Sequence, residues 1–399
     1  MPNDDLGVKG RRWPILTQDD RAAVARVLDR GVLSGAGAPE MRGLEAEFAA
    51  AIGARFCLAT NSGTAALHIA LAAAGIGAGD EVIVPALSFI ATAQAVLHQG
   101  ATPKFADIDP VTYNLDPADA ARRVTPRTRA IVPVHLHGLP ADMDAINTLA
   151  QRAGLTVIED AAQAHGALYR GRAVGTLGTM AAFSLNSTKN LPAGEGGLFV
   201  TSSEELYAHA ARVRFDGLEP PSKWDPSHPL DDEAETQATL RGWMYLPGEL
   251  TAALARAQLQ RLADTTARSQ WNAGRLTHRL ARLPGVEPPA VPPNRTHVFH
   301  KYRVRLDPER AGVGLSPTAL RNRLLEALRA EGVEAVLWQT VPLPAHPLFA
   351  SRERYPNTSA ALDSTIVIGS QSYPLFAQPL EVVDAWAAGF ERVWKSLRS

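Results

Sequence analysis

The sequence predicts an α/β fold in which a mostly parallel sheet is layered between helices. Two observations carry this reading. Short apolar runs rich in Val, Ile and Phe recur through the first half of the chain, and segments of helical periodicity separate them. Parallel strands buried on both faces read as continuous apolar runs, and each crossover between them takes about a helix of chain. At 399 residues the chain also exceeds the usual single-domain length, so a second, smaller α/β domain is expected.

Taken in order, the predicted strands are Asp80–Pro85, Thr102–Ile108, Ala130–Leu136, Thr156–Asp160 and Gly197–Thr201. The helices between them are expected over Thr64–Ala74, Ala91–His98, Pro117–Arg123 and Met143–Ala153. From Asp216 to Gln237, Pro220, Pro221, Pro226 and Pro229 with Asp231–Glu235 mark an irregular stretch, longer than ordinary connections and of a kind often functional. One helical pattern then runs from Glu249 through Leu283, long enough to bridge two domains. A strand at Tyr302–Arg305, an amphipathic Leu320–Glu331 and a terminal Glu381–Leu397 helix complete the smaller domain. The expected division is 1–262, with an insertion at 216–240, and 263–399.

Composition narrows the function classes. Apolar residues make up 46% and charged residues 20%, which excludes a disordered chain. Lys plus Arg total 40 against 41 acids, so no phosphate-backbone-binding surface is expected and a nucleic-acid partner is not. Cys57 is the only cysteine, which excludes an internal disulfide and multi-cysteine metal sites; it reads as a small buried hydrophobe. The apolar runs Ala65–Ala78 and Val82–Leu97 are too interrupted to span a membrane, and Met1–Leu6 is acidic and polar. A cytoplasmic protein is the expectation.

Three segments carry chemistry. The chain has six lysines against thirty-four arginines, and Lys189 sits among small, hydroxylic and glycine residues in Phe183–Gly197, with Glu195 the only other charge nearby. It reads either as an amine nucleophile held away from water or as a solvated lysine on a glycine-rich loop. Thr60-Asn-Ser-Gly-Thr-Ala-Ala-Leu67 leads into an apolar helix. Ser62 and Thr64 are capping types, and Gly63 allows close approach, so the helix start suits an anion or is a plain cap. In Val157–Gly166, Asp160 falls at the carboxyl end of a strand, the ligand edge of open α/β sheets, with Gln163 and His165 close behind. His135 and His137 would share one face of a strand. A metal there needs a third ligand that the sequence does not supply, so an ordinary strand end is expected and no metal site.

Together these segments resemble the DegT-type family of pyridoxal-phosphate-dependent sugar and aminocyclitol aminotransferases, from about Trp13 into the C-terminal domain. The resemblance is densest in Asn61–Leu67, Asp80–Pro85, Glu159–Ala167 and Phe183–Gly197. Ser187-Thr-Lys-Asn-Leu-Pro-Ala-Gly-Glu-Gly-Gly197 is similar to the family's Thr-Lys-x(4)-Gly-Glu-Gly-Gly signature around the Schiff-base lysine. The resemblance implies that Lys189 holds the cofactor aldehyde as an imine and later shuttles the substrate proton. By position it also implies Asp160 on the pyridinium nitrogen, Gln163 by the phenolic oxygen, Phe89 stacked on the ring, and Gly63, Thr64 and Ser184 on the phosphate. The implied fold is aspartate-aminotransferase-like (pyridoxal-phosphate fold type I), working as a homodimer. Donor recognition is implied near Ser34–Gly35 and His300–Tyr302.

The sequence departs from the family at Gly242-Trp-Met-Tyr-Leu-Pro247, where Met244 and Leu246 replace the usual asparagine and arginine. That removes the expected cross-subunit phosphate ligand and suggests an acceptor less polar than a nucleotide sugar, covered by Trp243 and the preceding insertion. Ala141-Asp-Met-Asp144 is closer to the aminocyclitol and aminohydroxybenzoate branches. The leading expectation is an aminotransferase moving an amino group from glutamine or glutamate to a small carbonyl metabolite, an aminocyclitol, amino-sugar or antibiotic precursor. An aromatising synthase would also keep Lys189, whereas dehydratase relatives carry histidine there. A silent sensor protein would have no need of Lys189, Asp160, Gln163 and the phosphate turn together.

Overall fold

Seven strands form one sheet in the computed structural model, which describes residues 10–220 and 237–398. They are β1 (Phe56–Thr60), β2 (Glu81–Pro85), β3 (Thr102–Ala106), β4 (Thr128–Ile131), β5 (Thr156–Asp160), β8 (Met180–Ser184) and β9 (Gly197–Thr201). A short hairpin of β6 (Leu168–Tyr169) and β7 (Arg172–Ala173) lies between β5 and β8. The order is β1-β9-β8-β5-β4-β2-β3. β3, β2, β4, β5 and β8 pair in parallel, and β9 runs antiparallel to both β8 and β1. The expected α/β class with a mixed, mostly parallel sheet is what forms.

The two-residue period of each strand sends alternate side chains into separate cores. Met180 and Ala182 of β8 join Ile158 and the helix Gly63–Ala73 on one face. Ala181 and Phe183 join Phe48 and Leu44 of the helix Pro39–Ile52 on the other. Continuous apolar strands are therefore required, because neither face meets water.

A second sheet of four antiparallel strands follows, β10 (Val286–Glu287), β11 (Tyr302–Leu306), β12 (Ala335–Val336) and β13 (Thr365–Ile368), in the order β10-β11-β13-β12. Helices Leu262–Leu280, Pro317–Ala330 and Leu380–Arg398 cover it around Tyr302, Leu324, Trp386 and Trp394. The chain between β12 and β13 returns to the large sheet. Leu343 N donates to Ala86 O at 2.9 Å, and the Asp107 carboxylate accepts from the backbone N–H groups of Asn357 and Thr358, both at 2.9 Å.

The structure corrects three expectations. The strand expected over Ala130–Leu136 ends at Ile131, since Pro133 has no N–H to donate, and Leu136–Gly138 is a 3-10 turn with His137 at φ 58°. His135 and His137 therefore do not share a strand face. The helical pattern Glu249–Leu283 is two helices, Glu249–Leu259 and Leu262–Leu280, broken at Arg261 (φ −108°, ψ 5°). The Arg261 guanidinium binds both oxygens of buried Asp20 at 2.7 and 2.9 Å, which fixes the break. Strands β1 and β8 form where the sequence suggested none. The irregular stretch predicted between Asp216 and Gln237 lies from 221 to 236 outside the described residues, as does the N-terminal segment 1–9. Among the described residues no helix is long and apolar enough to cross a membrane.

Candidate active site

Because β1, β5 and β8 point the same way, their carboxyl ends share one edge of the sheet, where open α/β sheets bind ligands. Each delivers one of the three chemical segments there. A cleft of about 500 Å³ opens at this edge, lined by Gly63, Thr64, Asp160, Gln163, Ser184 and Lys189 together with Phe89. The seven residues expected to hold the cofactor all line it.

The β1 end turns into the helix Gly63–Ala73, capped by Ser62, whose Oγ accepts from Ala65 N at 3.1 Å. Gly63 is required here. A Cβ at that position would stand 2.8 Å from the Ser184 Cβ, so no other residue lets the helix start lie against β8. The first N–H groups of a helix have no intrahelical acceptor and are left for a ligand.

At the β5 end Asp160 is 5% exposed. Thr92 Oγ1 donates to its Oδ2 at 2.7 Å, Ala162 N donates to Oδ1 at 3.2 Å, and Ser88 meets Thr92 at 2.8 Å. Burial pushes the carboxyl up, opposed by the Thr92 bond, the Ala162 N–H and the Lys189 charge. Gln163 Oε1 accepts from His137 N at 2.9 Å, which leaves the amide nitrogen for the cleft.

The β8 end runs into a locked loop. Asn186 Oδ1 accepts from Thr188 N at 3.0 Å and from Thr188 Oγ1 at 2.8 Å, Asn186 Nδ2 donates to Glu195 at 2.8 Å, and the Lys189 carbonyl accepts from Trp13 Nε1 at 3.1 Å. Among the described residues the Lys189 amine has neither a hydrogen bond nor an ion pair. Burial lowers its pKa to about 8, against the opposing pull of Asp160 and Glu195. Lys189 is half-buried, and it lines the cleft together with Asp160 and Glu195.

Other expected positions fall elsewhere. His165 does not line the cleft. It is fully buried at 5.3 Å from the Phe183 ring, its pKa lowered to about 3 by burial and the Lys189 charge. His135 Nδ1 accepts from Ala141 N, so its Nε2 donates to Glu159 at 2.9 Å, a core contact. Cys57 is buried, and its thiol is pushed up by burial. Ser34 and Gly35 are not in the lining, and Tyr302 turns into the small core, whereas His300 and Lys301 do line the cleft. Trp243, expected over an acceptor, packs on His68 at 4.4 Å instead. Met244 is 53% exposed, and Leu246 packs beneath the sheet. The sequence reading missed Ser88 and Thr92 as site residues, since Ser88 lies in the bend before the helix Ala91–His98 and only the fold sets both hydroxyls toward Asp160.

Comparison with known proteins then decides the family. The DegT/DnrJ/EryC1/StrS aminotransferase family matches residues 14–378. The chain belongs to that family. It is 40% identical over 324 residues to the GDP-perosamine synthase of Caulobacter vibrioides, across 81% of this chain and 82% of that one. The structure of 3-amino-5-hydroxybenzoic acid synthase is similar with a TM-score of 0.86 at 31% identity, covering 97% of this chain and 99% of that one. NtdA of Bacillus subtilis, solved with its cofactor PMP bound, gives 0.81 at 27% identity over 95% and 83%. The chain is a pyridoxal-phosphate-dependent aminotransferase.

The cleft fits pyridoxal phosphate on its own evidence. It offers a half-buried amine, without a partner among the described residues, for an aldehyde, and a helix start with free N–H groups for a phosphate. It also offers a buried carboxylate whose two hydrogen bonds leave acceptor capacity for a ring N–H.

Proposed function

We propose that the chain takes an amino group from L-glutamine or L-glutamate and delivers it to a ketone or aldehyde of an aminocyclitol, amino-sugar or antibiotic precursor. The observation that carries the catalytic part is the Lys189 amine, half-buried, unpaired among the described residues and lowered to a pKa of about 8 in a cleft that also contains Asp160. A pKa near 8 leaves a fraction of the amine neutral at pH 7, enough to act as nucleophile and then as proton carrier at Nζ. Asp160, ionised, holds a proton on the ring nitrogen, and Thr92 fixes its carboxylate. Gly63 and Thr64 at the helix start, with Ser184, bind the phosphate. Phe89 covers one ring face, and the Gln163 amide donates toward the phenolic oxygen. Pyridoxal phosphate, when bound, supplies the aldehyde and the electron sink that make the substrate α-carbon acidic.

The assembly proposed is a cytoplasmic homodimer, each protomer divided at about residue 262 into a large cofactor-binding unit and a small C-terminal one. Apolar Met244 and Leu246, where relatives carry polar residues, support an acceptor without a nucleotide. Faster amination of a nucleotide-linked keto-sugar than of any free cyclitol ketone or aldehyde would end that part of the reading. Absorption spectra of the purified protein with pyridoxal phosphate, before and after L-glutamine and then L-glutamate, test the whole. The cofactor band should convert to the pyridoxamine form, and Lys189→Ala should abolish the conversion. No conversion with any amino acid refutes the proposal. The likeness to 3-amino-5-hydroxybenzoic acid synthase favours one alternative, an aromatising synthase, which would yield a product with new aromatic absorbance.

A further inference from the structure

The 3-10 turn Leu136–Gly138 carries a buried histidine in the left-handed region. His137 is 3% exposed at φ 58° and ψ 5°, a conformation that an L residue holds only against a cost from its Cβ. That conformation aims both of its peptide groups. Its N–H donates to Gln163 Oε1 at 2.9 Å, and its carbonyl accepts from Lys301 N at 3.3 Å. The first bond decides how the Gln163 amide is turned. An N–H can only donate, so Oε1 faces His137 and the NH2 is left for the cleft that Gln163 lines.

The imidazole offsets the strain of the backbone. Its Nε2 accepts from Arg303 at 3.4 Å, and the Trp338 ring meets it edge to face with centres 4.7 Å apart. Both partners belong to the four-stranded sheet, Arg303 on β11 and Trp338 just after β12. Arg303 is itself anchored there, its Nε donating to Thr365 Oγ1 at 2.7 Å and a second nitrogen to Ala361 O at 3.4 Å. A guanidinium only donates, so Nε2 carries the lone pair and Nδ1 the proton. Nδ1 has no partner among the described residues, which leaves the Arg303 contact as the ring's hydrogen bond. Burial, with Arg303, His297, Lys301 and Lys189 facing it, keeps the ring neutral and that acceptor available. Gly138 closes the wedge, since a Cβ there would stand 2.6 Å from Val298 Cγ2 and 3.1 Å from Gln163 O.

We infer that His137 is a positioning residue for Gln163: its imidazole, gripped by Arg303 and Trp338, holds the strained turn whose N–H fixes the Gln163 amide with its NH2 toward the cofactor's phenolic oxygen. The inference rests on the Gln163 placement proposed above. It makes the orientation of a large-sheet residue depend on two side chains of the small sheet. A donor on the phenolic oxygen draws negative charge from it; without that donor the bound cofactor keeps its proton to higher pH.

The test titrates the cofactor absorbance of the loaded enzyme from pH 5 to 10, with no substrate present. Gln163→Met should raise the pH midpoint of the band by about 1 unit. His137→Ala keeps the strain of a Cβ and loses the grip, so it should raise the midpoint by about 0.5–1 unit. His137→Asn, a residue type that tolerates left-handed backbone, should return it toward the wild-type value. In the Gln163→Met protein, His137→Ala should add nothing, because the two residues act in one chain. His137→Leu, which fills more of the vacated volume, serves in the same comparison if the Ala variant fails to hold cofactor. A His137→Ala midpoint equal to that of wild type, a His137→Asn midpoint as far shifted as that of His137→Ala, or a full extra shift in the Gln163→Met protein would each overturn the inference and leave the Gln163 placement standing. If Gln163→Met left the midpoint unmoved, that placement would fall, and this inference with it.

Discussion

Removing the Thr92 hydroxyl should move the acidic limb of the donor half-reaction toward neutral pH. Asp160 is buried at the cleft, which raises its pKa, and the bond from Thr92 at 2.7 Å is the largest influence holding it down. A hydrogen bond to a charged group contributes roughly 1.5–3 kcal/mol. At about 1.4 kcal/mol per pH unit, its loss should raise the Asp160 pKa by about 1–2 units. Asp160 works ionised, so the rate falls as pH drops through its pKa, and a raised pKa shifts that limb upward. Thr92→Val keeps shape and removes the donor, whereas Thr92→Ser should restore the wild-type profile. Ser88 reaches Asp160 only through Thr92, so Ser88→Ala should shift the limb less. The assay is the rate of cofactor conversion by saturating donor from pH 5 to 9. Coincident acidic limbs for wild type and Thr92→Val, with cofactor bound in both, would refute the positioning role of Thr92.

Three further outcomes follow from the same geometry. Gly63→Ala places a Cβ 2.8 Å from the Ser184 Cβ, so the helix start must shift; a stability loss of about 1–3 kcal/mol and weaker cofactor binding are expected in urea melts and cofactor titration. Glu159→Gln replaces one carboxylate oxygen by an NH2, which must face either the Gly175 N–H and His135 Nε2 or the N–H groups of Leu177 and Gly178, and should cost about 3–5 kcal/mol in urea melts, with activity per folded molecule retained. Lys189→Met should stabilise the cofactor-free protein at pH 7 by at most about 3 kcal/mol, because the folded chain holds that amine near pKa 8 and the unfolded chain near its ordinary value. Above pH 8 the unfolded lysine binds the proton that the folded one has lost, so wild-type stability recovers. The gap in thermal melting should close by about pH 10.5.

Legibility differed by element for physical reasons. Four helices and the strands at Glu81, Thr102, Thr156 and Gly197 were readable because each is a periodic or apolar run, most of them closed within two residues by Gly, Pro or Asp. Strand β8, Met180-Ala-Ala-Phe-Ser184, was not, since its alanines have no strand preference; it is held in place by β5 on one side and β9 on the other. Strand β1 was hidden because Cys57 and Ala59 carry no strand signal and the glycine turn after it drew the reading. The break at Arg261 depends on Asp20, some 240 residues earlier, which no local window contains. The candidate site was far more legible than these elements. Lys189, Asp160 and the Gly63 turn are local motifs, whereas Thr92 acquires meaning only from the Asp160 carboxylate that it meets in the fold.

The neighbours Glu159 and Asp160 show how the strand period divides labour between fold and chemistry. Side chains alternate along β5, so two adjacent carboxylates must point to opposite faces. Glu159 points away from the cleft and is saturated by three backbone N–H groups and His135, leaving no capacity for a ligand. Asp160 points into the cleft with two hydrogen bonds and acceptor capacity unused. A shift of one residue in the register of β5 would exchange them, presenting a side chain of different length to the cleft and leaving the three N–H groups without an acceptor. The bonds that saturate Glu159 therefore fix the register that aims Asp160, so the structural carboxylate positions the chemical one.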